Sequence, residues 1–395
     1  MKIIGYNSSH ETSLCQFDNE TWEIDFLYEE ERFRRKKYWT PEFPNDELLC
    51  IPHKGVEKPD EFVGASYDRR CVHVELDHRA LQYDFDGQRK VKAFLREAPL
   101  TKERLLFMME EFKPWVINYD KDKQFLTENH HCRTDVDDSP HGRVADQLGM
   151  DEFHYEIQHH LYHAECGYFY SPWKEKEPAI AITMDGGGAK MHQEDWVDYQ
   201  EVETIFRCEP NKVPQRQWGR LTNNRAVEEY QKNYLYNTEK GKIFPEDVTV
   251  EIDGVPQCFS SYPSMGMNFS QLSVYFGFDR LGRAAGKVMG AASYHEWQDN
   301  EDGYVDYTVH SICNQLQQKS FDFTCKIIQR AIDLNPDCKN IILSGGFALN
   351  CTNNAKYLDK FPDYQFFVDP VAHDGGTAVG AAIRLGRALK QGEDI

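Results

Sequence analysis

His159 and His163 stand four residues apart in Gln158-His159-His160-Leu161-Tyr162-His163-Ala164, a spacing that puts two side chains on one face of a helix. Their Cβ atoms would lie roughly 5–6 Å apart, so the two imidazoles could share one cation. A borderline ion such as Fe²⁺ or Zn²⁺ favours imidazole plus carboxylate, and it needs open positions if it is to act on a substrate. Asp374, presented by the glycine-rich turn Pro370-Val371-Ala372-His373-Asp374-Gly375-Gly376, could supply a third ligand. The same His spacing also serves purely structural pairs, and taken alone it leaves both readings open. The sequence argues against a metalloprotease helix, whose general base is a Glu directly after the first His; here that position is His160.

A second kind of chemistry is suggested where apolar runs end in small residues. Lys2 to Tyr6 meets Asn7-Ser8-Ser9-His10 and returns as a strand from Thr12 to Phe17, a hairpin that could cradle a phosphate. Ala179 to Met184 runs into Asp185-Gly186-Gly187-Gly188, offering backbone N–H groups to an anion and a carboxylate to a metal or ordered water. Asn340 to Leu343 runs into Ser344-Gly345-Gly346, then Phe347-Ala348-Leu349-Asn350 and a predicted helix whose N-terminus favours negative charge. With Gly282 and Gly286-Lys287-Val288-Met289-Gly290, these turns predict a nucleotide held between two α/β halves. The basic run Arg32, Arg34, Arg35, Lys36 and Lys37 follows Phe26-Leu27-Tyr28-Glu29-Glu30-Glu31; it is either a solvated charge run or an anion-binding edge.

The elements that must position these groups are alternating strands and helices. Thr101 to Phe112 reads as a helix with Leu105, Leu106, Met109 and Phe112 on its buried stripe, and Ser320 to Leu334 as another, stopped before Pro336. Residues 200–262 are mixed, polar and proline-interrupted, with turn signals at Glu239-Lys240-Gly241-Lys242 and Asp253-Gly254; they read as an insertion contacting the acceptor substrate. Asn129-His130-His131-Cys132 and His141 have metal-like composition but no matching partners, and read as a surface loop. The 395 residues suffice for two core-bearing lobes. We expect an N-terminal α/β lobe over 1–175 with the His-x-x-x-His helix, and a C-terminal one over 176–395 with the glycine loops and the insertion.

Composition narrows the class. A net charge of −20 argues against nonspecific electrostatic adhesion to nucleic acid over most of the surface. Eleven cysteines, odd in number and never spaced Cys-x-x-Cys, point to reduced thiols. The chain enters Lys2-Ile3-Ile4-Gly5-Tyr6 at once, and no segment approaches eighteen apolar residues, so a soluble, cytoplasmic protein with no membrane partner is expected.

Taken in order, Ser9-His10-Glu11-Thr12-Ser13, Glu30-Glu31-Arg32-Phe33 with Arg35 and Lys37, His159 to Ala164, Asp185 to Gly188, Gly286 to Gly290, Ser344 to Asn350 and His373-Asp374-Gly375-Gly376 form a set spread over nearly the whole chain. The set resembles that of the O-carbamoyltransferases of nodulation-factor and antibiotic biosynthesis, whose catalytic domain is similar to the threonylcarbamoyl-transferring enzymes of tRNA modification. The resemblance implies an α/β, two-lobed fold like that of actin, sugar kinases and acetate kinase, with the ligand site between the lobes. It implies that carbamoyl phosphate and ATP are joined into carbamoyl-adenylate in a separate C-terminal domain, and that a domain like this one moves the carbamoyl group to a hydroxyl, releasing AMP. The chain stops at Ile395, so that adenylate-forming domain is expected to be lacking, unless a separate protein supplies it or this domain handles both steps.

Residue by residue, the resemblance implies metal ligation by His159, His163 and Asp374, with Fe²⁺, Zn²⁺ or Mn²⁺ as the ion. Arg35, Lys37, Asp185, Gly186, Gly187, Lys287, Gly345, Gly346 and Asn350 are expected at the ATP or carbamoyl-adenylate, together with Mg²⁺. His10 is the expected general base, since an imidazole pKa near ~6.5 suits proton removal at neutrality; a turn histidine bonded to its neighbours is the alternative. His160 and His373 are expected to support or pack. Tyr38 stands where the family usually has His, and Ala284-Ala285 where it usually has an acidic residue. The acceptor could be a sugar, an antibiotic or a hydroxymethylated pyrimidine in a nucleotide or DNA, the last suiting a viral gene acting in a host cytoplasm. A homodimer is compatible with these features. A phosphotransferase or ATPase of the same fold, or a non-catalytic nucleotide-binding partner, are the alternative functions.

Overall fold

A computed structural model describes residues 1–9, 11–35, 47–65, 131–135, 140–156, 158–191, 199–223, 248–252, 254–260, 264–278, 284–294 and 309–392. In the first sheet β1 (Lys2–Asn7), β2 (Ser13–Asp18) and β3 (Glu23–Glu29) form an antiparallel meander. On the other side of β1, β4 (Glu61–Ala65) and β6 (Glu152–Glu156) run parallel to it, and β5 (His131–Asp135) closes the edge antiparallel to β6. The second sheet repeats this plan. β7 (Ala179–Met184), β9 (Tyr199–Cys208) and β10 (Gln215–Asn223) are antiparallel, while β13 (Asn340–Ser344) and β14 (Gln365–Val368) continue parallel from β7. The hairpin of β11 (Val248–Ile252) and β12 (Val255–Ser260) extends the far edge through β10, and β8 (Lys190–Met191) pairs with β9.

The two strand orders, β3-β2-β1-β4-β6 and β10-β9-β7-β13-β14, are thus one topology used twice, the mixed α/β, two-sheet architecture expected above. The leading strands explain why. β1 and β7 are continuous apolar runs, the sequence form of a strand covered on both faces, and all six residues of β7 are buried.

Helices α1 (Glu30–Arg34), α2 (Cys50–Lys54) and α3 (Pro140–Gln147) belong to the first half. α3 sets the His141 ring 5.4 Å from Tyr6 and 6.4 Å from Phe153. α4 (His159–Tyr170) packs Leu161, Ala164 and Tyr168 on Ala179, Ala181 and Phe206 of the second sheet. Its other side meets α9 (Thr377–Gln391), which returns to the first sheet and buries Ala378, Ala382 and Leu385 with Ile3, Cys15 and Val63. From one side to the other the layers run first sheet, α9, α4, second sheet. Beyond lie α5 (Met265–Tyr275), α6 (Ala285–Ala292), α7 (Val309–Leu334) and α8 (Cys351–Lys360), sharing a core with Ile180, Ile182 and Leu343. α7 is the helix expected from Ser320, begun earlier at Val309.

Two expectations are corrected. The described residues of 200–262 do not lie outside the sheet as an insertion would: β9 and β10 are inner strands of the second sheet, and residues 224–247 lie outside the described residues. Their charged residues misled because they pair inside the sheet, buried Arg220 donating to Glu203 at 3.0 Å and half-buried Arg216 to buried Glu201. His131 and Cys132 are not in a surface loop but in β5, and His141 is fully buried with its Nε2 3.2 Å from the Ala65 carbonyl. The Thr101 to Phe112 helix, Asn129, His130, Gly282 and Tyr38 lie outside the described residues. Nine cysteines among the described residues are free. No helix among those residues is long and apolar enough to cross a membrane.

Candidate metal centre

The His-x-x-x-His segment forms the first turns of α4, a helix buried on every side from His159 to Phe169. Sandwiched between α9 and the second sheet, it has no solvent face to give its imidazoles to, so they turn to each other and to two carboxylates. His159 Nε2 lies 3.2 Å from His163 Nε2, 3.1 Å from Asp185 Oδ2 and 3.5 Å from Asp374 Oδ1. His163 Nε2 is 3.9 Å from the same Asp374 oxygen. All four donor atoms lie within 4.8 Å of one another. Donors around a shared ion with bonds of about 2.0–2.2 Å sit about 3.3 Å apart, and two imidazole nitrogens with two carboxylate oxygens suit Fe²⁺, Zn²⁺ or Mn²⁺.

Topology places these groups. Asp185 ends β7, and Asp374 opens the short 3₁₀ turn Asp374–Gly376 that feeds α9. α4 and α9 follow the last parallel strands of their respective sheets, so His159 and Asp374 occupy corresponding helix starts in the two halves. Asn7, at the end of β1 as Asp185 is at the end of β7, holds the Asp374 carbonyl by donating to it at 3.0 Å. Thr377 also donates to that carbonyl, at 2.7 Å, and Glu11 Oε2 accepts from the Asp374 N–H at 2.9 Å.

Asp185 joins the donor set to both glycine turns. While Oδ2 faces His159, Oδ1 accepts from the N–H of Gly186 at 2.7 Å and of Gly346 at 3.2 Å. Gly345 makes that approach possible with φ of 84°, and a Cβ there would lie 2.3 Å from the Met184 carbonyl oxygen. Gly345→Ala should therefore cost at least about 1–3 kcal/mol in urea denaturation, the scale of strained non-glycine backbone; an unchanged midpoint would show that the turn relaxes freely.

Burial opposes charge on His159, but the Asp374 and Asp185 carboxylates outweigh it and raise its pKa to about 10. Burial, reinforced by charge on His159, pushes His163 down to about 3. Burial and Asp374 push the Asp185 carboxyl up, the two imidazoles pull it down, and the net is downward. Without an ion the cluster thus holds one imidazolium between carboxylates and one neutral imidazole. His163 Nδ1 is buried without a hydrogen-bond partner.

The other predicted residues are more dispersed. Gly186 is half-buried, with its carbonyl accepting from Ser264 Oγ at 2.8 Å, and Gly187 lies against Gln200. Asn350 caps α8 by accepting from the Asn353 N–H at 3.3 Å and from Gln317 at 2.9 Å, so its side chain orders the loop from within. Lys287 is exposed on α6 and donates to the Phe278 carbonyl at 3.2 Å. Arg35 is exposed just past α1, with φ of 57°. His10 and Lys37 lie outside the described residues. His160 sets Nδ1 2.7 Å from Thr204 Oγ1, and burial lowers its pKa to about 4.

Asp185, whose carboxylate was expected at the adenylate or at a metal or ordered water, stands at a strand end beside a helix start as one of the four candidate donors. Sequence reasoning missed three supporting residues. Glu11 and Glu29 clamp His373, at 3.2 Å from Nδ1 and 3.1 Å from Nε2, and raise its pKa to about 10 against the opposing effect of burial. Ser264, the N-cap of α5, had a readable signal as a Ser after Pro263 before an apolar run.

Comparison with known proteins supports part of this picture. Residues 323–383 match the family described as the carbamoyltransferase N-terminus, a stretch holding Ser344 to Asn350 and Asp374-Gly375-Gly376. The nodulation protein NolNO of Sinorhizobium fredii (strain NBRC 101917 / NGR234) is 45% identical over 53 residues, 13% of this chain and 8% of that protein. Among solved structures, full-length HypF in its phosphate- and nucleotide-bound form aligns with a TM-score of 0.45 and 13% identity, over 98% of this chain and 56% of that one. A ROK family protein from Streptococcus pneumoniae TIGR4 in complex with sucrose aligns with a TM-score of 0.43 and 9% identity, over 99% and 100%. The chain thus spans little more than half of HypF. Its resemblance to the carbamoyltransferases is met over the 323–383 stretch.

Proposed function

We propose that this chain is an O-carbamoyltransferase that moves the carbamoyl group of carbamoyl-adenylate to an acceptor hydroxyl and releases AMP. The observation that carries this reading is the double use of Asp185, one oxygen on the histidine cluster and the other on the N–H groups of two glycine turns. The candidate cation centre and the two glycine turns are then one hydrogen-bonded unit, which would face a carbamoyl-adenylate together. The family match over residues 323–383 supports the same class.

In the transfer, the acceptor oxygen bonds to the carbamoyl carbon, the bond from that carbon to the adenylate phosphate oxygen breaks, and AMP leaves with that oxygen. His10 takes the acceptor proton. His159, His163, Asp374 and Asp185 would hold a divalent ion, which supplies Lewis-acid polarisation of the carbonyl or phosphate oxygen when bound. The turns at Gly186-Gly187 and Gly345-Gly346 let backbone approach the adenylate closely, with Arg35, Lys37 and Lys287 neutralising phosphate charge. The adenylate derives from carbamoyl phosphate and ATP, and the acceptor is a sugar, an antibiotic or a hydroxymethylated pyrimidine.

The test is mass spectrometry of the anaerobic, Fe²⁺-loaded protein given carbamoyl-adenylate and a pool of hydroxyl acceptors, hydroxymethylated DNA included. AMP release tied to one carbamoylated acceptor is the expected result. No AMP with any acceptor, and ATP cleaved to ADP instead, would replace this reading with a phosphotransferase.

A further inference from the structure

Behind the Asp185 turn lies a layer of buried polar side chains that the transfer chemistry leaves unused. Glu201, 3% exposed on β9, holds the turn at three points. Its carbonyl accepts from the Gly188 N–H at 2.7 Å, its N–H donates to the Ala189 carbonyl at 3.0 Å, and its Oε2 accepts from the Ala189 N–H at 3.1 Å. Its other oxygen, Oε1, accepts from Arg216 Nη1, and Arg216 Nη2 donates to Gln257 Oε1 at 3.0 Å. Gln200 adds a hydrogen bond to the Gly188 carbonyl at 3.2 Å. The His160 ring closes the other side so tightly that a Cβ on Gly188 would lie 2.3 Å from its Cδ2 and 3.1 Å from Glu201 Oε2.

Burying a carboxylate beside a half-buried guanidinium in a sheet is costly, and a pair of apolar residues would usually serve stability as well. What apolar residues could not do is bond the Ala189 N–H. We propose that Glu201 is a positioning residue for the metal centre: with one oxygen saturated by Arg216, it fixes the Gly186–Ala189 turn and thereby aims Asp185 at His159. The inference rests on the reading of His159, His163, Asp185 and Asp374 as a cation site.

The two-oxygen geometry gives the test a distinctive sign. In Glu201→Gln, the amide has a single acceptor oxygen, and Arg216 and the Ala189 N–H both demand it. With Arg216 taking it, the turn loses its anchor. Removing Arg216 as well, in Glu201→Gln/Arg216→Met, frees that oxygen for Ala189 and should restore the turn. Arg216→Met alone leaves Glu201 on Ala189.

The probe is Co²⁺, with its dissociation constant and visible d–d spectrum measured on the full chain. E201Q should bind about tenfold more weakly, the low end of the effect of groups that orient ligands, with an altered spectrum; the double variant and R216M should return to within a few fold of wild type. Unfolding midpoints run in parallel report any purely structural role, which would move them and leave Co²⁺ affinity in place. Wild-type affinity and spectrum in E201Q would overturn the proposal, as would a double variant weaker than E201Q. Should E201Q fail to fold, an R216M protein that binds Co²⁺ tenfold more weakly overturns it as well. If His159→Ala leaves Co²⁺ binding intact, the cation site itself fails, a result distinct from an insensitive E201Q.

Discussion

His159→Ala should weaken Co²⁺ or Fe²⁺ binding by at least about a hundredfold, or about 2.7 kcal/mol, and take the proposed carbamoyl transfer down by about three orders of magnitude. His159 Nε2 is the hub of the cluster, the atom within 3.5 Å of His163, Asp185 and Asp374 alike. Its loss removes a ligand and leaves two buried carboxylates facing each other with only the neutral His163 between them. Lewis-acid polarisation is worth several kcal/mol in a transition state, and the drop in turnover follows from that scale. Asp374→Ala should behave alike. Equilibrium dialysis against Co²⁺ and an AMP assay check both, and full turnover in metal-depleted protein would rule out the cation's part in the reaction.

Arg387→Met should cost about 3–5 kcal/mol of stability at neutral pH, the price of leaving a buried charge without its partner. Arg387 Nε donates to both oxygens of Glu165, at 3.1 and 3.0 Å, across the α4–α9 contact, and its guanidinium lies 5.3 Å from the Trp22 ring. Glu165 is fully buried. Burial pushes its carboxyl pKa up and Arg387 pulls it down. In the variant the Arg387 contributions are gone while Arg384 still lowers the carboxyl and Glu175 raises it, so the folded-state pKa, already raised in the wild type, moves further above that of the unfolded chain. A group raised in this way favours folding at low pH and loses that contribution as pH rises through its folded pKa. The deficit relative to wild type should therefore shrink on acidification. Urea titrations of both proteins at roughly pH 5 and pH 8 read this, and an equal deficit at the two pH values would mean that Glu165 stays ionised or finds another cation.

How much was legible in the chain depended on whether polarity meant exposure. The two histidines were readable because helical spacing is local and α4 keeps it. The glycine turns at Asp185 and Gly345 were readable because each ends an apolar run. The duplication of the sheet was not, since strand order is carried by buried apolar patterns that many sequences satisfy and leaves no residue-by-residue repeat. Residues 200–262 failed for a different reason. Glu201, Glu203, Arg216 and Arg220 break the alternation expected of strands, and only their pairing across β9 and β10 makes them interior residues. Asn350 is a polar residue beside a glycine turn whose side-chain oxygen accepts from Gln317 and from the start of α8, contacts that its sequence position did not foretell.

The crossing of α4 and α9 bears on how such a chain could be divided. A cut in the connection between α4 and β7 would leave the first piece without α9, so that Ile3, Cys15 and Val63 faced water. The second piece would keep α9 but lack α4, stripping the cover from Ala179, Ala181 and Phe206. Neither piece would be a module. Were a gene of this kind ever split there, its two products would have to be made together and would survive only as an interlocked heterodimer, each lending the other a helix.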